Sequence, residues 1–443
     1  LKNNFTQKIL LTKNFLKIIF SYIIIKNFLN LDKKNLIKKS IPLNLIKSHF
    51  YNSSVLENGK YIDAFFPDLE KYLNGKTFYI VHIQESLLKS LLNIRQIKNK
   101  NVFPFEYFLR LKDITYSYFT LLFKKQFVFN QIIFDGVNIS SFLKNEYLLS
   151  PISLSHLLIY DAVKNITNFA KFEQTYLTFE NIAWENMYTA AFREFSKETK
   201  IIGYQHTVVP QAAMGMYVGE IEGALRPLPD KVITTGIQPK KIINEYSKSI
   251  HYLLEAGCAL RYKNLCEIKI KSKKKTKNIL IALEGIPRTI DLIEEIAIQK
   301  ENLREYNITI RTHKVLPWNE LKKYSKFNGS MFNHFKISDN SDLMSDLRKS
   351  DLCIYWGSTV SLEAGYMGIP LINFDNNVGI SYDPLFMNKE LKWVFHKGDN
   401  IKKIIDIIDA IDDNHLMIMQ QKIRDYISTY LTAVTNENIK IFK

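Results

Sequence analysis

Cysteine and arginine are both scarce in this 443-residue sequence, and each scarcity excludes something. The three cysteines, Cys258, Cys266 and Cys353, are odd in number and lack metal-ligand spacing. They support neither a disulfide framework nor a metal cluster, and they fit a reducing compartment. Cys353 lies within an apolar stretch and reads as core. Of the 60 Lys and Arg residues only ten are Arg. Nucleic-acid readers lean on Arg for bidentate contacts, so no nucleic-acid partner is expected. Also missing are G-x-x-x-x-G-K-[ST], G-x-G-x-x-G and H-E-x-x-H, which sets aside P-loop, dinucleotide-cofactor and zincin chemistry. No repeat period stands out. The most apolar run, FLKIIFSYIIIKNFL (15–29), is interrupted by Lys17 and Lys26 and is too short to span a bilayer. No small-residue cleavage site follows it. It reads as a core helix or strand, with a basic amphipathic element on a membrane face as the alternative. The sequence begins at Leu1 rather than Met, as an N-terminally truncated chain would.

What is present is ordinary globular composition, 46% apolar and 23% charged, in a chain long enough for two domains. The net charge of +16 favours anionic partners: an anionic membrane surface or anionic small substrates. The clearest seam is the lysine run KIKSKKKTKN. It predicts an N-terminal domain over 1–268, a linker over 269–277 and a C-terminal domain over 278–443. After the seam, apolar strands at 278–283, 307–312, 351–356 and 370–374 alternate with helical spacing at 290–300, 341–350 and 401–411. That pattern predicts a parallel sheet covered on both faces. Before it, strands are expected at 76–83, 126–134, 200–207 and 230–236, and helices at 86–97 and 185–199.

Ligands of open parallel sheets bind beyond the carboxyl ends of the strands. Four loops qualify: Glu284-Gly285, Arg311-Thr312-His313, Gly357-Ser358-Thr359, and the stretch from Gly203 to Pro210. Gly357 permits close backbone approach, and Ser358 and Thr359 sit where a helix begins, a place that favours an anion. Neither hydroxyl has Glu or Gln three residues on, so a capping box does not account for the pair. Glu363, one turn past Thr359, is placed to accept hydrogen bonds from sugar hydroxyls. Arg311 and His313 end a strand and can donate to a phosphate. On the other side, Glu180, Glu185 and His206 are the candidates for a catalytic base, with Glu185 preferred and Asn186 beside it.

The set ENIAWENMYTAAFRE, IIGYQHTVVP, RPLPDKVITTG, LRYKNL (260–265), RTHKVLP and GSTVSLEAGYMGIPLI resembles bacterial surface-carbohydrate biosynthesis proteins with a GT-B glycosyltransferase fold. The resemblance runs from about Phe103 to Phe386. It implies an α/β, GT-B-like architecture: two Rossmann-like domains with parallel sheets facing a central cleft. It implies a metal-independent glycosyltransferase with no cofactor beyond its nucleotide-sugar donor, acting on a surface-polysaccharide or lipid-linked glycan acceptor. In related enzymes that use CMP-sugars, a His-Pro pair and a Ser/Thr pair hold the nucleotide. These fall on His313 and on Ser358 and Thr359. His313 is followed by Lys314, with Pro only at 317, while Glu363 resembles the carboxylate of UDP-type enzymes. The donor therefore stays open between CMP- and UDP-linked sugars. A sugar 2-epimerase, a polyol-phosphate transferase or a non-catalytic glycan-assembly protein would share the fold. The expected location is the cytoplasm, with peripheral contact at the inner membrane.

Overall fold

The computed structural model describes residues 2–29, 42–123, 131–141, 153–168, 170–263, 265–272, 275–327, 329–339, 342–377 and 379–443; the side chains of 2–5 and 266 lie outside that description. Two separate parallel sheets organise it. The first has seven strands in the order Val102–Pro104, Lys76–Ile83, Leu43–Phe50, Gln174–Thr178, Lys200–Tyr204, Lys231–Thr234, Leu254–Ala256. The second has six: Lys336–Ile337, Asn307–Arg311, Asn278–Ala282, Leu352–Tyr355, Leu371–Asp375, Lys392–His396. Strands with four consecutive buried residues, such as Leu352–Tyr355, are covered by helices on both faces, as a parallel sheet requires.

Of the expected strand 126–134, residues 126–130 lie outside the described residues. Ile133–Phe134 instead pairs antiparallel with Val137–Asn138, turning through Asp135 and Gly136 at positive φ. Lys273 and Lys274 of the expected linker also lie outside the described residues. The run 15–29 belongs to a 27-residue helix, α1 (Lys2–Phe28), followed along the chain by α2 (Leu87–Gln96) and α3 (Leu111–Leu122). The helix expected at 185–199 spans Ala183–Phe195.

The expected C-terminal unit, 278–443, does not keep its last residues to itself. Helix Asp413–Tyr430 packs on helix Val360–Tyr366, but Ile439 and Phe442 are buried in the core of the first sheet. Apolar residues of the tail thus complete the core of the first sheet. Cross-links between the halves include Thr432 N–H to Thr235 O (3.0 Å), Val209 N–H to the Tyr430 hydroxyl (2.7 Å) and Ala212 N–H to Ser381 O (2.9 Å).

Candidate functional site

Strand register brings the second-sheet loops together. Ala282 stands opposite both Arg311 and Tyr355, so the loops that follow leave one edge side by side. Glu284 is half-buried and accepts from the Gly357 N–H and from the Thr289 hydroxyl (2.8 Å). Burial raises its carboxyl pKa against these donors. Glu284 is thus a brace that holds the Gly357 loop. Any side-chain atom on Gly285 would meet His313 Nδ1 at 2.8 Å, so only glycine lets the imidazole lie against this loop. His313 Nδ1 accepts from Val315 N–H (3.2 Å), which in the neutral ring leaves the proton on Nε2 as a donor. Gly357 has a comparable reason: a Cβ there would meet Tyr382 O at 3.0 Å.

Beyond Gly357, Ser358 is buried and its hydroxyl accepts only a long contact from Val360 N–H, 3.4 Å. The Thr359 hydroxyl lies near the Tyr262 phenol. Glu363 Oε2 is buried without a partner, and burial pushes this carboxyl up to about 7, with Arg261 and Arg311 pulling the other way. Arg311 itself is committed elsewhere. Its guanidinium pairs with the buried Asp346 at 2.5 Å, an oxygen that Ser338 also contacts.

On the first sheet, Thr178 and Tyr204 are register partners, so Glu180 and His206 leave the same edge two residues later. Asn181, in the left-handed region (φ 56°), turns the chain sharply between strand and helix. The turn lets Glu185 reach back. Its Oε2 accepts from Glu180 N–H (2.9 Å) and Ile182 N–H (3.2 Å), and its Oε1 accepts from the Thr178 hydroxyl (2.9 Å). With 4% exposure and both oxygens accepting hydrogen bonds, Glu185, the carboxylate preferred as base, latches the loop. Asn186 bonds the Ile182 carbonyl of its own helix. Glu180 precedes the helix rather than lying on it. It is half-buried, with its carboxylate 3.7 Å from His206 Nε2. Burial raises the Glu180 carboxyl, and Arg261 opposes that. Burial lowers His206 to about 3, so the ring is neutral near pH 7. Its Nδ1 is buried without a hydrogen-bond partner.

Motif reading left two groups unassigned. One is Arg261, in a single 3-10 turn (Leu260–Tyr262) just after the seventh strand. Its charge favours the ionised carboxyls of Glu180 and Glu363 and the neutral ring of His206, and the guanidinium lies over the Phe65 ring at 5.4 Å. Tyr204 fixes this turn: its hydroxyl donates to Cys258 O (3.0 Å) and accepts from Leu260 N–H (2.9 Å). The quoted LRYKNL carried the signal, though not the role. The second group is a row of rings at the same edge. His49 stacks on His82 and meets Trp184 edge-on at 5.9 Å, while Phe65 meets His206 at 4.5 Å. Beneath them Lys47, fully buried, lies under Trp184 at 4.9 Å, and burial pulls its ammonium down to about 7. Aromatic faces beside hydrogen-bonding groups suit a sugar or another polar ring.

No protein-family model and no curated protein matches the sequence. Among solved structures, a protein described as a UDP-N-acetylglucosamine 2-epimerase from Listeria monocytogenes is similar with a TM-score of 0.50 at 10% identity, over 91% of this chain and 94% of that one. The UDP-GlcNAc 2-epimerase from Neisseria meningitidis, bound to UDP-GlcNAc, gives 0.48 at 11% identity, over 90% and 97%. The lipopolysaccharide outer core galactosyltransferase WaaB gives 0.43 at 12% identity, over 91% and 98%. At such identities the likeness speaks to architecture alone, and on that point it agrees with the two parallel sheets: the chain has the GT-B fold, two Rossmann-like units facing a cleft.

Proposed function

We propose that the chain is an enzyme that transfers a sugar from a nucleotide donor to a glycan or lipid-linked glycan acceptor. The observation that carries this reading is the gathering of polar loops just past the strand ends of both sheets, Glu180 with His206 on the first and the Glu284, His313 and Gly357 loops on the second. The positive charge of Arg261, which favours the ionised forms of Glu180 and Glu363, suits an anionic substrate. The His313 Nε2–H, the Ser358 and Thr359 hydroxyls and Arg261 would neutralise the leaving phosphate. Glu363 would accept from a hydroxyl of the donor. The acceptor oxygen forms the new bond to the anomeric carbon. The bond to the nucleotide phosphate breaks with its electron pair on the phosphate, and the acceptor proton passes to the Glu180 carboxylate. His206, neutral and close, orients that carboxylate or the hydroxyl. The nucleotide is CMP or UDP in this reading.

Thermal unfolding with CMP, UDP, GDP and TDP tests the donor half, since a ligand that binds only the folded chain raises the melting temperature. A selective rise with CMP or UDP is expected, and no rise with any of the four overturns the proposal. Product analysis of the matching nucleotide sugar, with and without a lipid-linked glycan fraction, tests the reaction. A new nucleotide sugar formed without acceptor would replace transfer by 2-epimerisation.

A further inference from the structure

Helix α1 is apolar on two opposite faces, and only one of them is used. Leu11, Ile18 and Ile25, seven residues apart, are buried against the first sheet's core. Ile9, Leu16, Phe20 and Ile23 fall within about 60° of one another, on the side roughly 180° from that line. They are exposed, Phe20 by 65% and Leu16 by 61%. The neighbouring helix repeats the pattern. α3 lies beside α1 through Phe15 stacked on Tyr118 at 4.1 Å and through Thr12 hydrogen-bonded to the Tyr118 hydroxyl at 2.9 Å. It buries Asp113, Ile114 and Ser117 and turns Tyr116, Phe119 and Phe123 outward, Tyr116 with 75% exposed. Two stripes of large apolar side chains on neighbouring helices thus stand uncovered among the described residues, a patch that needs a partner.

The charge around the stripes says which partner. Residues 1–31 contain five lysines and no Asp or Glu, and Lys13 and Lys17 lie along one side of the α1 stripe on its wheel. No described helix is long and apolar enough to cross a membrane, so a helix of this kind would lie along a surface rather than span it. We infer that the outer face of α1 and α3 docks on the surface of an anionic lipid bilayer. Phe20, Leu16 and Phe119 enter the acyl boundary, and the lysines meet the headgroups. This surface is separate from the cleft, and its test needs no turnover.

Co-sedimentation of the full chain with phosphatidylcholine vesicles, with and without phosphatidylglycerol, reads the contact directly. Binding to the phosphatidylglycerol vesicles that weakens with salt is expected. Lys13→Gln with Lys17→Gln should weaken it about 20–30-fold, roughly fivefold for each lysine near the surface. Leu16→Glu with Phe20→Glu should weaken it roughly tenfold or more, at an unchanged melting temperature. Phe20→Trp keeps an apolar side chain at the same exposed place, and the indole emission of this variant should shift to the blue and be quenched by brominated lipid. No binding to phosphatidylglycerol vesicles overturns the inference, as does an emission from the Phe20→Trp variant that vesicles leave unshifted. A dimer that Phe20→Glu converts to monomer, with vesicles failing to compete, would assign the face to a second copy and equally overturn it.

Discussion

Glu180 and Glu185 are five residues apart in the chain, and their carboxylates have different surroundings. Glu185 accepts three hydrogen bonds from its own loop, while Glu180 stands half-buried beside His206. Glu180→Gln should therefore lower turnover by about 10²–10⁴, the range of a lost general base, with little change in melting temperature. Glu185→Gln should instead cost about 1–3 kcal/mol of stability, because an amide nitrogen faces N–H donors. Turnover and urea unfolding of both variants decide the matter, and the reverse pattern would return the base role to Glu185. Glu363 carries a pH signature. Burial raises its carboxyl from 4.5 to about 7, so the folded chain holds that proton more tightly than the unfolded chain. Its contribution to stability is complete below about pH 4.5 and is lost as pH rises through about 7. Wild-type urea midpoints should fall across that window more steeply than those of Glu363→Gln. Equal slopes would show that Glu363 is not the group titrating.

At the scale of elements, the second sheet was readable because three of its inner strands are near-continuous apolar runs and the fourth, Asn307–Arg311, alternates buried Ile308 and Ile310 with polar residues. The expected 278–283, 307–312, 351–356 and 370–374 lie within a residue or two of Asn278–Ala282, Asn307–Arg311, Leu352–Tyr355 and Leu371–Asp375. An inner strand of the first sheet, Leu43–Phe50, escaped notice. Asn44, Lys47, Ser48 and His49 break its apolar run, yet the first three are buried. Their partners are distant in sequence: Asn74 O for Asn44, Asp63 for Ser48, the Trp184 face for Lys47. No local pattern announces partners of that kind. Arg261 was hidden for a similar reason, since a single 3-10 turn has no periodicity to detect. Its support is a test of the element. Tyr204→Phe removes the hydroxyl that joins Cys258 O and Leu260 N–H, two buried groups left unpaired. A loss of about 1–3 kcal/mol in urea unfolding is expected, with turnover falling as Arg261 shifts. Full turnover in this variant would separate Arg261's position from the Tyr204 contact.

At the scale of the molecule, the last residues join the two halves. The chain leaves the second sheet at His396, forms helix Asp413–Tyr430 across the back of helix Val360–Tyr366, and ends in the other half. There Phe442 is fully buried against Tyr204 at 5.5 Å, and its carbonyl accepts from the Tyr176 hydroxyl. Ile441 O accepts from Lys231 Nζ at 3.0 Å. Strands Gln174–Thr178, Lys200–Tyr204 and Lys231–Thr234 thus each carry a residue that meets the tail. Truncating a buried aromatic leaves a cavity, so Phe442→Ala should cost about 3–5 kcal/mol. That cost should be unevenly distributed. Hydrogen exchange should accelerate in the three first-sheet strands, which lose a packing partner directly. Strands Asn278–Ala282 and Leu352–Tyr355 share a core cluster with helix Asp413–Tyr430, not with Phe442, and they should keep their protection. Equal acceleration in both sheets would mean that the tail stabilises the two halves as one cooperative unit, and that the cleft opens only when both unfold together.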